Sequence, residues 1–271
     1  MCPSCGTLVG TTATKCHVCG ANVRFGMAAA SRSLGQLIPS NAPVTYCLLS
    51  LCCLFYGISL LYSARSGNPL MPEGGGLSAI FGIGGIDGRS LALLGSTLPL
   101  QLIIGLGQPW RLITAIFLHG SLMHIVFNMW VLMDIGPMVE ELYGSARYLF
   151  LYIATGVFGY VVSSFFGHNS VGASGALLGL IGLLLASTTR SGSASAQMMR
   201  SNLIRWIIYI GIMGFMFSGI DNAAHAGGLV SGFALGKLFV DRPPQGVTEN
   251  RIANGLGWST AIVTIGCFAL M

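Results

Sequence analysis

The chain has 271 residues, of which 53% are hydrophobic and only 8% charged, with a formal net charge of +5 and a mean hydropathy of +0.75. A soluble globular domain carries roughly a quarter charged residues, so the composition excludes an ordinary soluble domain and implies an all-α polytopic membrane protein. The charge of +5 does not argue for a nucleic-acid partner; its distribution among the loops is the informative quantity.

The first element is not an apolar leader. Cys2-Pro3-Ser4-Cys5-Gly6 and Cys16-His17-Val18-Cys19-Gly20 form two Cys-x-x-Cys knuckles. Four thiolates so spaced suit tetrahedral structural zinc held by Cys2, Cys5, Cys16 and Cys19. A reducing cytoplasm disfavours disulfides, and a short segment needs such a staple to fold. A redox pair or incidental cysteines are the alternative, and His17 could replace a cysteine as ligand. The reading is a zinc ribbon over 1–24 and a linker over 25–43, with a cytoplasmic protein as the partner the ribbon could recruit. Cys47, Cys52, Cys53 and Cys267 fall in apolar segments and read as packing residues.

A span needs about 20 largely apolar residues. The pattern predicts spans over 44–64, 112–134, 147–167, 171–189, 203–219 and 223–240, with a seventh over 257–271 inside a C-terminal section 242–271. The outer loop, about 65–111, is far longer than an ordinary connection and reads as an interfacial segment with short helices. It closes on Trp110-Arg111, an aromatic-basic pair that an interface anchor alone would explain.

Lysine and arginine placement sets the orientation. With a cytoplasmic N-terminus, ten fall inside (Lys15, Arg24, Arg32, Arg147, Arg190, Arg200, Arg205, Lys237, Arg242, Arg251) and three outside (Arg65, Arg89, Arg111). The even-numbered spans then run inward from the outer face, as expected of a multi-pass protein of the plasma (inner) membrane.

Three of these inward spans carry polar residues near their outer ends. The second contains His119, His124 and Asn128; on a helix His124 and Asn128 lie about 40° apart, and His119 about 140° from His124. Such a cluster could bind metal or haem, glue helices together, or donate hydrogen bonds to a developing oxyanion. The fourth span opens Gly172-Ala173-Ser174-Gly175 and the sixth Ala224-His225-Ala226-Gly227-Gly228. Polar groups in hydrocarbon are costly and mark function or a specific helix contact, and a serine with a histidine suggests a nucleophile and its base. Gly175, Gly179 and Gly182 on one span, and Gly228 and Gly232 on the other, let two backbones approach. The nearest carboxylate, Asp221, reads as a capping residue, while Asp134, Glu140 and Glu141 lie at the opposite face.

Together these residues resemble the rhomboid family of intramembrane serine proteases over about residues 44–241. The resemblance rests on Trp110-Arg111, on His119, His124 and Asn128 as His-x4-His-x3-Asn, and on Gly136, Glu140 and Gly144 as Gly-x3-Glu-x3-Gly. It extends to Gly172-Ala173-Ser174-Gly175 and to Ala224-His225 with Gly228 and Gly232. It implies a six-span core with Ser174 as nucleophile and His225 as general base, without a third acidic member. His124, Asn128 and the Ser174 N–H would form the oxyanion hole, with His119, Trp110, Arg111, Glu140, Gly172, Gly175, Gly228 and Gly232 in support. No catalytic cofactor is implied. The implied substrates are transmembrane proteins in the bilayer, cut near the outer face where their helices unwind. One departure from the family pattern is Leu178, where some members carry an aromatic that stacks on the base. The rival readings are a catalytically dead relative that binds membrane clients and a transporter or metal-binding protein using the histidines.

Overall fold

The computed structural model describes residues 15–19, 42–67, 83–217 and 219–271. It divides into two units, Met1–Pro43 and Val44–Met271. In the first, residues 17–19 form a turn in which the Val18 N–H donates to the Cys16 sulfur at 3.4 Å. Cys16 is buried and Cys19 exposed. Cys2 and Cys5 of the expected ribbon, and almost all of the expected linker, lie outside the described residues.

The regular elements among the described residues of the second unit are all helices: α1 Pro43–Arg65, α2 Gly88–Leu93, α3 Leu100–Gly105, α4 Arg111–Thr114 with a 3-10 turn Ala115–Phe117, α5 Leu122–Tyr143, α6 Ser145–Phe165, α7 Ser174–Thr188, α8 Ala194–Met216, α9 Asn222–Leu238 and α10 Gly246–Ala269. Of these, α1, α5, α6 and α10 are long and apolar enough to cross a membrane. Their outward faces carry large apolar side chains such as Leu61, Trp130, Phe158 and Trp258, each more than half exposed. A contiguous apolar exterior of this kind suits lipid rather than water.

At the centre stands α7, with twelve of its fifteen residues buried. A helix apolar on every face belongs inside a bundle. At 1.5 Å per residue it spans about 22 Å against a hydrocarbon thickness of about 30 Å. A helix that short cannot cross the full hydrocarbon thickness, so at least one of its ends lies below a membrane surface. Against it lies α9, with no side chains between the two backbones. A Cβ added to Gly228 would run into the carbonyl of Gly175, and one added to Gly232 into that of Gly179. Thr155 of α6 fills the space beside Gly179.

Glu140 explains the Gly-x3-Glu-x3-Gly spacing. Its buried carboxylate accepts from the N–H groups of Val44 at 3.0 Å and Thr45 at 2.8 Å, and from the hydroxyls of Thr45 at 2.8 Å and Ser145 at 2.6 Å. It therefore caps the orphan N–H groups that open α1 and ties them to the α5–α6 junction. A Cβ on Gly136 would meet the Thr45 methyl at 2.7 Å. Gly144, at φ +79°, makes the turn from α5 into α6.

Three expected spans shift; the fifth, placed at 203–219, is α8 at Ala194–Met216, whose polar opening is capped by Ser193. The second, placed at 112–134, is α5 at Leu122–Tyr143. Residues 112–118 are apolar because they are packed inside the outer loop, with Ala115, Ile116, Phe117 and Leu118 buried, and hydropathy alone does not separate loop core from helix. Ser121 then caps α5 by accepting from the His124 N–H. The seventh, placed at 257–271, begins earlier, at Gly246. Its polar opening does not delay the helix because Glu249 is bonded by Arg242 and by the Gln245 N–H. At its far end Phe268 stacks on Phe55 at 4.2 Å and meets Phe117 edge-on at 5.3 Å.

The outer loop contains short helices, as expected of an interfacial segment, although residues 68–82 lie outside the described residues. Asp87 caps α2 through the Ser90 N–H and accepts from the Ser63 hydroxyl of α1; the bonds from Ser90 hold its carboxyl down at about 2.

Two outcomes test this packing. Glu140→Ala leaves several buried donors unpaired and is expected to cost about 3 kcal/mol or more; a melting temperature in detergent equal to that of the parent would contradict the capping role. Gly228→Ala is expected to destabilise by about 2 kcal/mol or more. Gly211→Ala, which meets nothing within 4 Å, should be neutral or slightly stabilising, so equal melting shifts in the two variants would refute the close contact.

Candidate active site

The first residues of α7 and α9 bring Ser174 and His225 to the same end of the bundle. Gly175 lies with its Cβ position 3.4 Å from the carbonyl oxygen of Ala224, so the residue after the serine touches the residue before the histidine. Both Ser174 and His225 are only partly covered. Nδ1 of His225 is buried and has no hydrogen-bond partner among the described residues.

Asp221 does not supply that partner. It is the N-cap of α9, accepting from the Ala224 N–H at 3.0 Å; its other contacts are the hydroxyl of Ser163 and Nδ1 of His168 at 3.1 Å. Burial pushes its carboxyl up, but the bonds from Ser163, Ala224 and His168 outweigh it and leave the group below its ordinary value. The carboxylate therefore serves the helix start, as a capping residue does.

His124 faces the serine loop. A Cβ on Gly172 would stand 2.6 Å from its Nε2. Nδ1 of His124 accepts from the Gly120 N–H at 3.4 Å, which assigns the proton of the neutral ring to Nε2. A donor is thus aimed at the loop preceding Ser174. Asn128 is buried and spends one amide hydrogen on the His124 carbonyl at 2.8 Å; its second amide hydrogen remains for another acceptor.

His119 is not on α5, which begins at Leu122, so its expected angular offset from His124 does not apply. The chain runs extended at Leu118, and the fully buried His119 ring packs edge-on against His124 at 5.1 Å. Its Nδ1 lies 3.3 Å from the Phe117 carbonyl. It buttresses His124 from behind. Among the described residues no three His, Cys, Asp or Glu side chains are grouped to hold a metal.

Arg111 acts within the outer loop. It donates to the carbonyls of Ala92 at 2.7 Å and Ser96 at 3.0 Å and to the Gln108 side chain at 2.6 Å, closing the end of α2. Its partial burial lowers its pKa from the ordinary guanidinium value. Trp110 is half-buried at the start of α4. Leu178 is buried in α7.

One residue escaped the sequence reading. Tyr160 of α6 is 2% exposed and donates to the Gly172 carbonyl at 2.6 Å. A tyrosine within an apolar span carries no motif; a buried hydroxyl in need of an acceptor was the one available signal. Gly172 itself has φ +125° and donates to the Ala115 carbonyl at 2.9 Å.

Comparison with known proteins covers the same part of the chain. Residues 106–242 match the Rhomboid domain. The chain is 40% identical over 132 residues to Rhomboid protease GluP of Bacillus subtilis (strain 168), covering 48% of this chain and 26% of that protein. It is 36% identical over 157 residues to RHOMBOID-like protein 1 of Arabidopsis thaliana, covering 57% and 40%. It is 33% identical over 144 residues to Rhomboid-like protease 1 of Toxoplasma gondii, covering 51% and 49%. The chain thus spans from about a quarter to half the length of these relatives. With the matched domain covering half of its residues and apolar spans on either side of the serine loop, the chain belongs to the rhomboid family and is a multi-pass integral membrane protein.

Proposed function

We propose that the protein is an intramembrane serine endopeptidase that cleaves transmembrane proteins near the outer membrane face through a dyad of Ser174 and His225. The observation that carries this reading is the direct backbone contact at Gly175 and Ala224, which sets the two residues at the starts of adjoining helices beside His124. Three relatives that match the chain bear protease names.

His225 takes the Ser174 proton as the hydroxyl oxygen attacks a peptide carbonyl, and then gives it to the leaving amine. The negative charge that develops on the carbonyl oxygen is met by Nε2–H of His124, the remaining amide hydrogen of Asn128 and the Ser174 N–H at the positive end of α7. Each such donor contributes about 2.7–4 kcal/mol in a preorganised site. Water then hydrolyses the acyl-enzyme, which requires an opening to the outer side. The shortness of α7 supports this, because an end set below the surface leaves room for water to follow. A substrate helix must unwind locally to expose its peptide bond, so spans with helix-destabilising residues near their outer ends are the natural substrates.

The reading includes a cytoplasmic N-terminus in a plasma (inner) membrane, with a zinc ribbon over 1–24 available to a cytoplasmic partner. An N–H donated to the Cys16 sulfur supports the ribbon, since a thiolate accepts such a bond readily. Cys16 and Cys19 would hold the ion together with Cys2 and Cys5, and the ion would serve folding rather than catalysis.

A fluorophosphonate probe tests the dyad. The parent protein is expected to label once per chain and to cleave a transmembrane substrate, and Ser174→Ala and His225→Ala to do neither. His124→Ala and Asn128→Ala are each expected to lose about 10²-fold in kcat. Labelling that persists in Ser174→Ala overturns the assignment. The ribbon is tested by metal analysis of the full-length protein: about one zinc per chain is expected, lost in Cys16→Ser, and a folded protein without zinc rules it out.

A further inference from the structure

The Gly172–Ala173 peptide lies where three elements meet. Tyr160 of α6 donates to the Gly172 carbonyl at 2.6 Å and lies 3.4 Å from the Ala115 carbonyl. The Ala115 carbonyl accepts the Gly172 N–H at 2.9 Å, and Nε2 of His124 stands over the Gly172 α-carbon. Gly172 has φ +125°, a region nearly closed to other residues, so this peptide is not held by regular helix geometry. The next carbonyl, that of Ala173, already accepts from the Leu177 N–H as part of the helix. No side chain caps the N-terminus of α7, which leaves its first N–H groups for an external acceptor.

We propose that Tyr160 is a positioning residue of this site: its hydroxyl fixes the Gly172–Ala173 peptide so that the N–H groups opening α7 and Nε2–H of His124 converge on one oxygen. The inference rests on the reading of Ser174 as nucleophile. A trans peptide is planar, with its C=O and N–H pointing in opposite directions. Holding the Gly172 carbonyl toward α6 therefore turns the Ala173 N–H away from α6. A flipped peptide would present a carbonyl oxygen in that direction, and an acceptor beside an oxyanion reverses the sign of the interaction that the site supplies. Tyr160 touches neither substrate nor reacting atoms in this scheme and acts through the peptide.

The loop itself does not hang on this one bond. Ser170, two residues earlier, exchanges hydrogen bonds with Thr97: Thr97 N–H to the Ser170 carbonyl at 3.0 Å, and Ser170 N–H to the Thr97 hydroxyl at 2.9 Å. Loss of the Tyr160 hydroxyl should thus leave the loop seated while freeing the orientation of one peptide, and phenylalanine fills the same volume.

The test compares Tyr160→Phe with the parent, full-length in lipid vesicles, using a fluorophosphonate probe and a transmembrane substrate. Tyr160→Phe is expected to keep KM within twofold and to label to the same final fraction, while kcat and the phosphonylation rate constant both fall tenfold or more. Thr97→Val, which removes the hydroxyl part of the other tie, is expected to lower the melting temperature with the rate per labelled site unchanged. Rates in Tyr160→Phe within twofold of the parent overturn the proposal. So does a loss accounted for wholly by KM or by a smaller labelled fraction, which would mark a structural role. A parent that neither labels nor cleaves overturns the nucleophile reading and this one with it, whereas an active parent with an unimpaired Tyr160→Phe removes only the role of Tyr160.

Discussion

The close approach of α7 and α9 is the constraint on which the rest of the site depends. Between lipid-surrounded helices there is little hydrophobic drive to associate, and packing at short range takes its place. Here the carbonyls of Gly175 and Gly179 occupy the space where side chains of Gly228 and Gly232 would stand. The consequence is local and chemical. Ser174 and His225 are about fifty residues apart in the chain, and the contact without intervening side chains brings the starts of their helices together. The burial of α7 on every face makes it the fixed reference against which α5, α6 and α9 present their groups.

Around this contact, the charged and strongly polar groups are used mainly on the protein's own backbone. Glu140 caps α1, Asp87 caps α2, Asp221 caps α9, and Arg111 closes carbonyls of the outer loop. The bilayer core offers no water to satisfy such groups, so each side chain that meets an orphan N–H or C=O removes a cost of about 1–3 kcal/mol. On α5 two donors stay unspent, one amide hydrogen of Asn128 and Nε2–H of His124; Nδ1 of His225, like several other buried polar atoms, has no partner among the described residues. The two α5 donors are the capacity that the proposed chemistry requires of an oxyanion site.

Much of this was legible in the sequence, for physical reasons that differ by residue. Ser174 and His225 stood out because a nucleophile and a base in apolar segments demand an explanation, and the flanking glycines showed how the two could touch. Asp221 was readable as a cap from its place one turn before His225. The register of α5 was not readable, because residues 112–118 are apolar for the sake of a packed loop and hydropathy treats them as helix. That error carried into His119, whose helical angle had no meaning once the helix began three residues later. Tyr160 was invisible for the opposite reason: its role depends on a carbonyl in another element, and no spacing within α6 announces it. Gly172 is legible as part of a motif, but its positive φ and its place against His124 appear only in three dimensions.

The central claim is that Ser174 and His225 form the reacting pair, with His124 and Asn128 facing the oxyanion. The most direct measurement is an experimental structure of the phosphonate-inhibited protein in lipid or detergent. The expected result is phosphorus bonded to Ser174 Oγ, its phosphoryl oxygen within hydrogen-bond reach of His124 Nε2 and the Asn128 amide, and His225 Nε2 beside the bonded oxygen. Phosphorus on another residue, or a phosphoryl oxygen turned away from both His124 and Asn128, would contradict it.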